Sequence, residues 1–382
     1  MDHQRGAGAL KAVIARVLLV AVALAPAATL AEPYLAVRSG AKCMACHVNP
    51  TGGGKRTEFG AIYSQTAFAA SRLDPATGRA VPEGGAEPAP WTGKIDNHVA
   101  VGADLRADAL ATFTPHATDA YAFDPIRAQA YLEVKPIVDR LTIYLDEQVS
   151  PGAATNRETY ALLWNAGKTA YVKAGRMFIP FGLRIEDDSA FIRGEVTSTS
   201  FNSSDDGVEG GLELGPWSVN VSITNGAGGG TETNRGKQIS SLATYVRPAW
   251  RVGVSASTNF NGAADRRMQS VFAGLRTGRV SWLAAGAYVT DDGTSSGRLK
   301  KWATLVEGNV EAAKGHNLKL TYEYYDPNAD RKEDQRERYS ALWEYVPFQF
   351  TQFRLGARKS KGIPQIDAQN ATEVFLQWHA FF

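Results

Sequence analysis

Cys43 and Cys46 are the only cysteines among 382 residues, and a histidine follows them directly in Cys43-Met44-Ala45-Cys46-His47. Two thiols at this spacing match the two vinyl groups of one haem, and the adjoining imidazole is then placed to ligate its iron. Two other chemistries also use cysteine pairs. A redox disulfide of this spacing wants a thioredoxin-like βαβ frame, which the flanking residues lack, and a structural zinc wants further Cys or His ligands nearby. The expected cofactor is therefore one covalent haem c, held by Cys43 and Cys46 with His47 as the proximal iron ligand. The glycines of Gly52-Gly53-Gly54 let the backbone bend beside a flat cofactor, and the cations of Lys55 and Arg56 suit haem propionates. A flexible surface loop is the competing reading, whereas a phosphate loop lacks its Walker spacing.

The far side of the iron is harder to supply. Between Glu32 and Pro90 the only histidine is His47, and the only methionine is Met44, inside the attachment loop. Candidates further along are His98, His116, His316, His379, Met177 and Met268. Strand parity places His98 and His379 on inward rows, near one rim, on strands that become neighbours when a barrel closes. His98 is the first choice for a distal ligand and His379 the second, with Lys42, Lys55, Asn49, water or five-coordinate iron as alternatives.

Composition bounds what surrounds this motif. With 44% hydrophobic residues, 37 Gly, and 41 basic against 39 acidic side chains, the chain is neither disordered, collagenous nor a disulfide scaffold. Without the first 31 residues, which hold Arg5, Lys11, Arg16 and Asp2, the charges balance at 38 each, so nothing argues for nucleic-acid binding. Residues 1–31 read as a signal peptide: basic residues precede the apolar run Val17 to Ala25, and Thr29 and Ala31 suit a cut before Glu32. That run is shorter than the roughly 20 residues a spanning helix needs. The exported chain then divides into a small haem segment (32–70), irregular or helical, a Pro/Ala/Gly-rich linker or plug (71–90) and a β region (91–382).

In that last region apolar and polar residues alternate in bursts of about ten. Trp217, Val219, Val221 and Ile223 interleave with Ser218, Asn220, Ser222 and Thr224, and Trp250, Val252, Val254 and Ala256 with Arg251, Gly253, Ser255 and Ser257. Sixteen such bursts are counted, from 95–107 to 370–382, with long connections near 108–125, 179–205 and 226–236 alternating with tight turns such as Gly215-Pro216. The expectation is an all-β fold: an antiparallel transmembrane β-barrel of about 16 strands, resident in the cell outer membrane, its mature N-terminus and short turns on the periplasmic side. The final row Val374, Leu376, Trp378, Ala380, Phe382 resembles the last strand of bacterial outer-membrane proteins. Tyr245, Trp250, Trp302, Trp343 and Tyr345 suit interfacial girdles.

Signal segment, one CxxCH near the mature N-terminus and a single-chain barrel together resemble the fused outer-membrane monohaem cytochrome c-porins of iron-oxidising bacteria. Gly175-Arg176-Met177-Phe178-Ile179-Pro180-Phe181-Gly182-Leu183 also resembles a segment of phosphate-selective-type porins. The resemblance implies an electron conduit between an extracellular donor or acceptor and a periplasmic c-type cytochrome, a chain that partners outer-membrane lipid and the barrel-assembly machinery. Ferrous iron is the donor it implies, making ferrous oxidation the candidate activity. Glu186, Asp187, Asp188, Glu195, Asp205 and Asp206 of the long loop offer hard oxygens suited to such a cation, although ordinary solvated loop charge is the simpler account of them and Arg193 in the same loop opposes a cation. The alternative function is a diffusion porin for small anions or solutes with a haem-bearing plug or sensor segment.

Overall fold

Alternation becomes pleat. The computed structural model describes residues 32–382 apart from 83, 84, 86, 186, 188, 200–202, 261–264, 295 and 296, so the signal segment and the carboxylates of Glu186 and Asp188 lie outside the described residues. Strands β1 (Val99–Phe113), β2 (Ala120–Phe123), β3 (Arg127–Ile137), β4 (Leu141–Ser150), β5 (Thr155–Trp164), β6 (Ala170–Phe178), β7 (Ser204–Leu214) and β8 (Trp217–Thr224) are followed by β9 (Gln238–Val246), β10 (Trp250–Asn259), β11 (Arg266–Thr277), β12 (Val280–Thr294), β13 (Gly297–Ala313), β14 (His316–Asp326), β15 (Arg336–Tyr345), β16 (Thr351–Lys361) and β17 (Thr372–Phe381). Each pairs antiparallel with its neighbours in sequence, and β1 pairs with β17, Asp104 opposite Phe381, so the sheet closes and has no free edge. β2 and β3 lie end to end along β1, which makes sixteen staves of seventeen strands. This is the expected barrel. The first strand differs: residues 108–113, read as loop, continue β1 beyond its expected end at 107, because the lipid-side alternation of Ala107, Ala109 and Ala111 is too weakly apolar to read as strand.

The two faces fall as the alternation requires. Trp250, Val252 and Val254 are exposed on the outer wall, while Arg251, Ser255 and Ser257 are buried inside. Aromatic residues band the wall near both rims, with Trp217, Tyr245 and Trp250 in contact at the short-turn end and Trp302 against Tyr324 at the long-loop end. Leu320, mid-strand on β14, is 66% exposed on this apolar wall. Leu320→Arg is expected to destabilise the barrel by about 2–4 kcal/mol, read as a lower urea midpoint of lipid-refolded protein.

The lumen is filled rather than open. The N-terminal segment folds into short helices α1 (Pro33–Ser39), α2 (Cys43–Cys46) and α3 (Glu58–Tyr63), then a π-helical turn (Ser64–Phe68), and sits inside the wall. The connection 179–203, expected as an outer loop, folds inward instead. Its Phe181, Phe191 and Val196 bury against Leu242, Met268, Phe272, Val289 and Leu305 of the inner wall. Burying that apolar patch is worth more than leaving it in water, which is the physical reason for the inward turn.

Candidate functional site

The cysteine motif is built by local rules. Pro33 opens α1, where its missing N–H costs nothing, and Gly40 closes it in the left-handed conformation. One turn of helix then carries Cys43 and Cys46 at positions three apart, on one face. His47 pairs antiparallel with Arg56, and Val48 N–H donates to Lys55 O at 3.0 Å, so residues 48–55 form a closed loop beside the motif. Thr57 caps α3, accepting from Gly60 N–H at 3.1 Å, and its hydroxyl donates to Ala45 O at 2.6 Å. A Cβ at Gly60 would lie 2.3 Å from Cys46 O, so α3 lies flat on the cysteine turn only because residue 60 is glycine.

Both thiols are free and half-buried. Burial, reinforced by neighbouring Cys43, pushes the Cys46 thiol up to about 11. Among the described residues, no three His, Cys, Asp or Glu side chains are placed to share a metal ion. Burial pushes His47 down to about 4, so its imidazole is neutral, the form that ligates iron, and its Nδ1 is buried without a hydrogen-bond partner. Cys43, Cys46 and His47 line one cavity of about 110 Å³ together with Arg56, Arg184 and Arg251. Paired thiols beside a neutral imidazole and three arginines suit a dianionic haem, whereas a zinc site lacks its further ligands among the described residues.

The motif is moored at several heights. Lys42 bonds Glu213 at 2.7 Å near one short turn, and Gly40 packs on Pro248 at another. Higher up, Asn49 donates to Glu158 at 2.8 Å and accepts from Lys173 at 3.3 Å, while Lys55 N–H donates to the Tyr144 hydroxyl at 2.8 Å. Glu158 lies six residues above Trp164, the short-turn end of β5. At roughly 3.3 Å per residue and a tilt near 40°, that is about 15 Å into a hydrocarbon band about 25 Å tall. On the long-loop side a second cavity of about 840 Å³ descends from Asp124 and Pro151 to Lys319 and Arg354. Glu32 borders both spaces, its carboxylate held by Lys319 at 3.0 Å and Arg354 at 2.5 Å.

The structure sorts the sequence-predicted residues. Cys43, Cys46, His47 and Arg56 come together at the cavity. Lys55 points elsewhere: its ammonium pairs with Glu133 at 3.2 Å, so it moors the segment to the wall. His98 precedes β1 instead of lying on it, exposed, with Nδ1 2.7 Å from Lys135 O, and does not line the cavity. His379 is inward and fully buried as parity requires, but its Nε2 is 2.6 Å from Asp104 and it too lies outside the cavity lining. Met177 belongs to a tyrosine cluster, Met268 lies under the inserted loop, His116 is exposed beside Asp367, and His316 stacks on Tyr345. The loop carboxylates are committed as well: Asp187 to Arg358 at 2.5 Å, Glu195 to Arg336 at 3.0 Å, Asp206 to Arg176 at 3.1 Å, and Asp205 to loop N–H groups. Among the described residues they are not gathered into a metal-binding group. Sequence reading missed Arg184 and the cavity role of Arg251; the signal for Arg184 was its place directly after the singled-out segment ending at Leu183.

No family model matches the chain, and no curated protein matches it in sequence. Solved structures do match in fold. In-vitro folded OmpT of Vibrio cholerae in its trimer form is 12% identical, with a TM-score of 0.58 over 75% of this chain and 100% of that one. An anion-selective porin from Comamonas acidovorans is 12% identical at TM-score 0.58, over 74% and 99%. OmpF of Salmonella typhi in complex with daunomycin is 13% identical at 0.58, over 75% and 98%. The chain has the fold of the sixteen-stranded outer-membrane porins.

Proposed function

We propose that this protein is an outer-membrane barrel that carries one covalent c-type haem in its lumen and passes electrons between a periplasmic c-type cytochrome and an extracellular partner. The observation that carries this reading is the seat of Cys43, Cys46 and His47 inside the wall, on a segment whose loop reaches about 15 Å into the band by the strand rise and tilt used above. The motif itself starts at the short-turn rim, where Lys42 pairs with Glu213, so a cofactor held there spans the layer only by reaching inward along this loop. Haem, when bound, supplies a one-electron iron couple. Cys43 and Cys46 hold it, His47 offers a neutral imidazole, and Leu35, Phe68 and Leu183 exclude water from its faces. Short turns and the N-terminal segment face the periplasm, and the vestibule ending at Glu32 faces outward. The test is a redox titration of purified protein in lipid. A c-type spectrum that reduced periplasmic cytochrome converts, and an external oxidant reverses across a sealed vesicle, is the expected result; absence of a haem spectrum contradicts the reading.

A second reading is a diffusion porin with a haem-bearing plug. The vestibule favours it, as does the likeness in fold to porins, one of them described as anion-selective. Planar-bilayer recording separates the two, since a large steady current indifferent to haem redox state belongs to the porin alone.

A further inference from the structure

We propose that Arg184 and Arg251 are the anchors for the two carboxylates of the haem, one supplied by the inserted loop and the other by the barrel wall. This rests on the haem reading above. Arg184 Nη1 donates to Gly52 O at 3.0 Å, and Arg251 Nη2 donates to Ala41 O at 3.0 Å. Those carbonyls flank the cysteine motif in sequence, so the two guanidiniums bracket it from opposite ends. Both line its cavity.

What sets them apart is unmet charge. Lys55, Arg157, Lys173, Lys319, Arg338 and Arg354, buried like Arg251, each pair with a carboxylate within 3.3 Å, and Arg184 is half-buried. Neither Arg184 nor Arg251 has an ion-pair partner among the described residues, and Arg251 Nε is buried with no acceptor. Glu158, the acid acting most strongly on Arg184, accepts from Asn49 and Phe178 N–H on one oxygen and makes no hydrogen bond or ion pair to Arg184. A guanidinium with five donors and one acceptor, buried as Arg251 is or half-buried as Arg184 is, is costly unless an anion completes its shell. Arg56, the third arginine of the cavity, lies over the Phe381 ring, 3.8 Å from its centroid, and Arg184 lies over Phe178 at 4.7 Å, a contact that supplies no anion. A ligand with two carboxylates and two thioether links satisfies all four groups at once, and ties the inserted loop to the N-terminal segment through itself.

Optical redox titration of full-length protein in lipid nanodiscs tests this. Arg184→Gln and Arg251→Gln should keep covalent haem, by stain and mass, but each should shift the reduction equilibrium toward ferric by about tenfold, about 59 mV for one electron. The sign follows because removing a cation favours the more positive iron state. Lysine at either position should restore most of the shift, which a merely structural role would not do. Midpoints unchanged in both Gln variants overturn the proposal. Should a Gln variant fail to fold, redox-difference infrared spectra of the parent with isotope-labelled haem propionates decide: ionised carboxylate bands alone are expected, and a protonated-acid band overturns it. Absence of haem in the parent sinks the underlying reading instead.

Discussion

Cys43→Ser combined with Cys46→Ser is expected to abolish haem staining of the denatured protein completely while leaving the barrel folded. The asymmetry comes from where the energy lies. The sixteen staves are closed by backbone pairing from β1 to β17, to which the cysteines contribute nothing. The segment that carries them is held by contacts their sulfurs do not make, such as Tyr34 to Glu344 at 2.9 Å and Asn49 to Glu158 at 2.8 Å. A half-buried thiol exchanged for a hydroxyl costs little in packing, so heat-modifiable migration in detergent should match the parent. The covalent links are another matter, because two thioethers are the difference between haem that survives denaturation and haem that does not. Stain persisting in the double variant, or unfolding of the barrel with it, contradicts the assignment.

How far the sequence discloses such a molecule depends on which kind of information is local. The wall is legible because a strand with lipid on one side must alternate: Trp250, Val252 and Val254 face out and Arg251 and Ser255 face in, whatever the neighbouring strands are. The cysteine motif is legible because it too is local, its spacing being set within five residues. The lumen is not. Parity places Arg251, His379 and Lys319 inside, but not which of them faces the cavity, because that depends on strand stagger and on what fills the barrel. His379 was drawn to Asp104 across the β1–β17 seam, a pairing decided only on closure. Arg184 entered the site because residues 179–203 turn inward onto apolar positions that already violate the polar-inside rule, Phe272, Ala285, Ala287 and Leu305 among them. That violation was the one sequence sign that something apolar must cover this stretch of inner wall.

The N-terminal segment is the element whose release should most change what the barrel does. Asn49→Ala combined with Lys55→Met removes its two mid-height side-chain moorings. Glu158 would keep only the Phe178 N–H, its other oxygen having no partner already, and Glu133 would keep only Lys135, 3.1 Å away. Leaving buried acceptors short of partners costs roughly 1–3 kcal/mol each, and water entering the lumen recovers much of that cost by solvating them. The balance therefore shifts toward a segment that swings out on its linker while the wall, paired stave to stave, stays closed. Planar-bilayer recordings of the double variant should show single-channel conductance several-fold above the parent, with openings more frequent at high salt, where the remaining ion pairs such as Lys42–Glu213 are screened. Trypsin should also cut the 71–90 linker faster, while the heat-modified band persists. A conductance equal to the parent's would mean that the apolar seat of Tyr34, Val37 and Phe68 against Leu283 and Val346, with the Tyr34–Glu344 and Glu32–Lys319 contacts beside it, holds the segment without these two moorings.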